Sequence, residues 1–140
     1  MTALTIAAAS VALASGTPLG DQVAGEAFVA GAMLYLNTTD GRWYKAKSNG
    51  TAAQAGADGV AMALGTADAA GARVSIARPG AIVGVGTGTA GVVYVPGTTA
   101  GALMPTADLA STNKATPVAL GIGGSQLLLT YAYNAGAVVP

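Results

Sequence analysis

The side chains able to do chemistry are few. Six carboxylates, Asp21, Glu26, Asp40, Asp58, Asp68 and Asp108, face six Lys and Arg, and there is no His and no Cys. Disulfides, zinc fingers, Ser-His-Asp triads, Cys-His dyads and imidazole pH switches are therefore excluded within this chain. A pair of carboxylates could in principle hydrolyse a glycosidic bond. Most of these acids, however, stand beside Gly or Ala, the setting in which Asp shapes a turn. No lysine has a visible neighbour that would lower its pKa and make it a nucleophile. The stretch Gly86-x-Gly88-x-x-Gly91 matches the dinucleotide pattern, with Asp108 downstream. That fingerprint requires a helix after the glycines. Here GVVYVP follows, which reads as a strand, so the match is fortuitous. No Gly-Lys pair exists for a Walker loop. The protein is expected to be no enzyme, with no metal and no cofactor. The remaining cluster is Arg42, Trp43, Tyr44, Lys45 and Lys47. It supports three readings: a ring platform for a base or sugar, a surface strand with one packed ring and cationic stems lying alongside, or a protein contact anchored by Trp, Tyr and Arg.

The elements that must position these residues are strands. Residues 32–37 (AMLYLN) and 42–47 (RWYKAK) flank Thr38-Thr39-Asp40-Gly41. An Asp-Gly corner between two such runs predicts a hairpin, because Asp caps its own backbone and Gly takes a positive φ. Arg42, Tyr44 and Ala46 then share one face, with Trp43, Lys45 and Lys47 on the other. Residues 48–58 read as a loop, and 59–65 as a short strand. ARVSIA (72–77) and AIVGVG (81–86) read as partner strands across the Arg78-Pro79-Gly80 turn. GVVYVP (91–96) is a strand that Pro96 ends or confines to an edge. One helical turn is expected around TADLAS (106–111). PVALGIG (117–123) and SQLLLTYAY (125–133) form a last hairpin across Gly123-Gly124, with Tyr131 and Tyr133 on one face in core or interface. The tail, 134–140, has no period. Thr89-Ala90-Gly91 and Thr99-Ala100-Gly101 echo one another as similar turns into neighbouring segments. Glycines at 84, 86, 88 and 91 argue against helix, at about 1 kcal/mol each.

The fold class is all-β: a small β-sandwich or partly closed β-barrel of about eight short strands with an extended N-terminal arm. Residues 1–19 are an arm or edge strand, and 20–140 a single compact β-domain. Ala and Gly supply 54 of the 140 residues, only 9% are charged, and the formal net charge is zero. A core that thin, with so little charge, favours burial against neighbours. The scattered basic residues give no nucleic-acid footprint. Residues 3–14 (ALTIAAASVALA) are too short to span a bilayer. They also lack the basic flank of a signal peptide. No membrane partner is expected. Asn37-Thr38-Thr39 and Asn49-Gly50-Thr51 match the glycosylation pattern but read as turns.

The order of these segments resembles the capsid decoration, or structural cement, proteins of tailed bacteriophages. Gly25–Gly31, Asp40–Ala46, Gly59–Ala61, Gly71–Gly80, Gly91–Val95, Gly101–Pro105 and Val118–Gly121 carry the likeness, which covers most of the sequence after Leu19. The resemblance implies a non-enzymatic structural protein. It would be made in the host cytoplasm and bound to the outer surface of the virion capsid. Its partners would be the major capsid protein and further copies of itself, as a trimer, and its role to stabilise the shell. Under this reading the contact residues are Leu4, Ile6, Val11 and Leu13 of the arm and Arg42, Trp43 and Tyr44 of the hairpin. An apolar arm can also augment a partner's sheet. The alternative is a phage tail or fibre module that binds a host glycan through Trp43 and Tyr44.

Overall fold

A computed structural model describes residues 4–51, 53–56, 59–105 and 117–130. The described part is built of eleven short strands, with one 3-10 turn at Ala8–Ser10. They are β1 (Ala12–Ser15), β2 (Leu19–Val23), β3 (Met33–Asn37), β4 (Arg42–Lys45), β5 (Val60–Ala63), β6 (Arg73–Ala77), β7 (Ile82–Gly84), β8 (Val93–Pro96), β9 (Leu103–Pro105), β10 (Ala119–Gly123) and β11 (Gln126–Leu129). All pairings between them are antiparallel, in two sheets: β1-β7-β11-β10-β8-β9 and β2-β6-β5-β3-β4. The sheets stack as a sandwich. Neither closes into a barrel, although the edges of the smaller one approach at a single Ala24–Trp43 bridge.

Strand alternation explains where the core lies. Met33 and Tyr35 of β3, Val60 and Met62 of β5 and Tyr44 of β4 face the larger sheet, meeting Val83, Tyr94, Leu103, Leu127 and Leu129. The intervening residues Leu34, Trp43, Ala61 and Ala63 join Val74 and Ile76 in a second cluster on the far side of the smaller sheet. Ala24, Phe28 and Ala67 close that side. The centre of the five-stranded sheet is thus covered on both faces, which is why all four residues of β5 are buried.

The entry to five strands is the same turn. Carbonyls of Val29, Ala69, Arg78, Thr89 and Thr99 accept from the N–H three residues on, at 3.1–3.2 Å. In each case the third residue is a glycine (31, 71, 80, 91 and 101) with φ between 82° and 98°. That is the type II pattern, where a side chain would be strained. The strand begins two residues after each glycine, giving β3, β6, β7, β8 and β9. The Thr-Ala-Gly echo is therefore two of five copies, and its two turns lead into β8 and β9, which pair with one another.

Two expectations are corrected, and one alternative is decided. β6 and β7 are not partners: β6 pairs with β2 and β5, β7 with β1 and β11, so Arg78-Pro79-Gly80 links one sheet to the other. β8 does end at Pro96 but lies between β10 and β9, not at an edge. The last hairpin turns on Gly124-Ser125, φ 60° and 58°, because Gly123 still pairs with Gln126. The expected helical turn at 106–111, the face shared by Tyr131 and Tyr133, the tail, Asp58 and Asp108 all lie outside the described residues.

Candidate functional site

The aromatic-basic hairpin forms as the alternation requires. β3 and β4 pair with Leu36 opposite Trp43 and Tyr35 opposite Tyr44. At the corner, Gly41 takes φ 70° and its N–H donates to the Asn37 carbonyl at 2.8 Å. Asp40 Oδ1 accepts from the Arg42 N–H at 3.0 Å, and Oδ2 accepts from the Tyr44 hydroxyl at 2.5 Å. These bonds to the ionised carboxylate hold Asp40 below its usual pKa, the Tyr44 bond foremost. The same bond raises Tyr44, since its hydroxyl must stay protonated to donate. The Tyr44 ring stacks on Tyr35, centroids 5.8 Å apart. Burial pushes the Tyr35 phenol up.

Trp43 sits on the other face and is 1% exposed. Its Nε1–H donates to Gln22 Oε1 at 3.1 Å, and the Arg78 guanidinium lies 5.6 Å above the ring. The ring is part of the core, and its removal would cost about 3–5 kcal/mol. It cannot stack on a sugar or reach a capsid without unfolding this cluster. Against the expectation of a contact residue, Trp43 is therefore buried, and its ring and that of Tyr44 lie on opposite faces of the sheet. Arg42 and Tyr44 remain partly exposed.

The outer edge of β4 is closed by the segment before β3. Gly25 N–H donates to the Trp43 carbonyl at 2.8 Å, and Glu26 Oε2 accepts from the Lys45 N–H at 3.0 Å. Gly25 is forced here, because a Cβ would fall inside the Tyr44 ring. The succession Gly25-Glu26-x-Phe28-x-x-Gly31 now has a mechanical reading: a ring seat, an edge cap, a core anchor and a turn. An edge strand with satisfied N–H groups resists pairing with foreign strands.

The arm lies on its own domain. Leu4 N–H donates to the Leu103 carbonyl of β9 at 2.6 Å. Ile6 and Val11 pack over Gly31, and β1 pairs with β7. Residues 4–15 thus run from one edge of the six-stranded sheet to the other. Leu4, Ile6, Val11 and Leu13 are partly buried against the inter-sheet core, so much of their apolar surface is already used. Beside the arm is a groove of about 590 Å³. Leu4, Ile6, Phe28 and Leu103 make it apolar, and Lys45 and Asp68 stand on its walls.

Comparison with protein-family models, curated proteins and solved structures finds no match to this protein. Chemistry at the site is limited by its groups. Among the described residues no group of three His, Cys, Asp or Glu could hold a metal ion. No described helix is long and apolar enough to cross a membrane. The described ion pair, Arg73–Asp21 at 3.8 Å, is largely exposed and so contributes little.

The sequence reading missed Gln22, Glu26 and Arg78, which hold the hairpin in place. Glu26 carried a signal, its place in the Gly25–Gly31 segment. Gln22 and Arg78 carried none, because their partner Trp43 is 21 and 35 positions away in the sequence.

Proposed function

We propose that this protein is a non-enzymatic structural protein that binds the outer surface of an assembled bacteriophage capsid and stabilises the shell. Its partners in this reading are the major capsid protein and its own copies in a trimer. It is made in the host cytoplasm and works on the virion. The observation that carries the reading is a segregation of charge. The strands of the six-stranded sheet contain no Asp, Glu, Lys or Arg, whereas β2, β4 and β6 and the loops around them carry Asp21, Arg42, Lys45 and Arg73. A charge-free layer suits a protein that acts by contact area, since no ion must be desolvated on association. Small contacts repeated around a shell gain strength by multivalency. The order of turn-anchored segments supports the same reading.

Co-sedimentation with expanded shells of the source phage, against unexpanded procapsids, is the test. Saturable binding to expanded shells alone, at a copy number set by shell symmetry, is the expected result. Failure to bind either particle overturns the proposal.

A further inference from the structure

Three dipeptides in this protein place a glycine after a side chain able to cyclise: Asp40-Gly41 at the hairpin corner, Asn49-Gly50 in the loop after β4, and Asp58-Gly59, whose Asp58 lies outside the described residues. The relevant chemistry is intramolecular. The Gly backbone nitrogen, on losing its proton, attacks the carbonyl carbon in the side group of the preceding residue and closes a five-membered imide. From Asn, the bond between Cγ and Nδ2 breaks and ammonia leaves. Water then opens the imide at either carbonyl, leaving aspartate or, with the backbone rerouted through the side group, isoaspartate. The sum is Asn plus water giving Asp plus ammonia. Glycine speeds the attack because it presents no Cβ and leaves its backbone free to bend toward the neighbouring amide.

The first two sites differ in what holds their reacting groups. At the corner, the Gly41 N–H is committed to the Asn37 carbonyl at 2.8 Å. The Asp40 carboxylate is held by Arg42 N–H and the Tyr44 hydroxyl. Nucleophile and electrophile are both tied. Asn37 is tied as well: its Oδ1 accepts from the Thr39 N–H at 2.9 Å, and a threonine follows it. Asn49 is exposed, and neither its side-chain amide nor the Gly50 N–H takes part in a hydrogen bond among the described residues. The loop is fixed on both sides of the pair: before it, Lys47 N–H donates to the Gln54 carbonyl at 2.9 Å and Ser48 N–H to the Gly97 carbonyl at 3.0 Å, and after it Thr51 and Gln54 exchange backbone and side-chain bonds at 2.9 and 3.2 Å.

We infer that Asn49 is a site of spontaneous deamidation in the folded protein, a chemical clock that adds one negative charge to a molecule whose formal net charge is zero. The inference is independent of the capsid reading.

The test is a peptide map of the intact purified protein aged in mildly alkaline buffer, beside a sample aged in urea. Tryptic cleavage after Lys47 and Arg73 isolates Asn49 on one peptide, and Asn37 lies on another. Fragment ions separate Asn49 from Gln54 and place the isoaspartyl methyltransferase label at position 49 or at Asp58, whose Asp-Gly pair lies on the same peptide. The expected result is loss of Asn49 in the native protein at a rate comparable with the urea sample, with Asn37 intact and labelled isoaspartate at position 49. Gly50→Val should slow the loss by about tenfold, because a β-branched side chain blocks the approach. A native Asn49 that survives as long as Asn37 overturns the inference. So does a Gly50→Val protein that deamidates at the parent rate.

Discussion

Deleting residues 1–15 separates two pictures of the N-terminus. If the arm were a free tether kept for a partner, its loss would leave the melting temperature unchanged. The structure makes it a strap, and the cost follows from what it buries. Leu4, Ile6, Val11 and Leu13 are each about two-thirds buried or more against the inter-sheet core. Full burial of such a side chain contributes about 1.5–3 kcal/mol, so two-thirds burial of four gives at least roughly 4 kcal/mol. The Leu4–Leu103 bond and the β1–β7 ladder add to that. For a domain of this size 1 kcal/mol corresponds to about 2–4 °C, so the deletion should lower the midpoint by roughly 8–16 °C. Calorimetry, with circular dichroism to confirm a cooperative transition, would measure it. Ile6→Ala provides a gentler check, with an expected cost of roughly 1–2 kcal/mol in urea unfolding. A deletion that melts within about 2 °C of the parent would refute the reasoning, since that is no more than two-thirds burial of a single one of these side chains would give.

Three further outcomes follow from local geometry. Gly121→Ala should abolish or severely weaken folding, because the new Cβ would collide with the Thr89 backbone carbonyl, which no rotamer change can relieve; soluble yield and melting temperature report it. Ser125→Gly should stabilise the last hairpin by about 0.5–1 kcal/mol, since Ser125 holds φ 58° in a position that strains any residue with a Cβ; an unchanged urea midpoint would count against it. The Asp40–Tyr44 bond should contribute across the neutral range and fail at both ends. Asp40 is lowered, so its share is present above the ordinary value of 3.8 and lost as pH falls through the folded value. Tyr44 is raised, so its share is present below 10.0 and lost as pH rises through the folded value. Phenolate absorbance during alkaline titration should show a late tyrosine that shifts back toward 10.0 in Asp40→Asn, and no shift would exclude the bond as the cause.

The parts of the fold written in local pattern were readable from residues alone. β3 and β4 alternate aromatic and aliphatic side chains around an Asp-Gly corner, and they pair in that register. β1 lies in the stretch read as an arm or edge strand and is an edge strand of the larger sheet, but its bounds, and β2 as a strand, were not readable. ALAS lacks large alternating groups, and β2 carries Asp21 at φ 60° where its register shifts. The partner of β7 was hidden for another reason. A proline-glycine turn has one local geometry whether the next strand returns to the same sheet or crosses to the other, and only the packing of Val83 between sheets decides it. Trp43 misled because Arg42 and Lys45 bracket it with charge, so that the strand reads as surface. Its burial depends on Gln22 and Ile76, which no local window contains.

The arm also has a mechanical meaning. It is fastened at its outer end by one bridge, Leu4 to Leu103, and at its inner end by the short β1 ladder. A pull at Leu4 therefore loads those fastenings one after the other, not in parallel. Among the described residues the first to yield is the Leu4–Leu103 bond together with the packing of the Leu4 side chain, and the rest of the sandwich is unstressed until they have gone. A tether attached there would act as a weak fuse with a low yield force. A tether attached within β5, at the centre of its sheet, would have to shear two ladders together before anything moved.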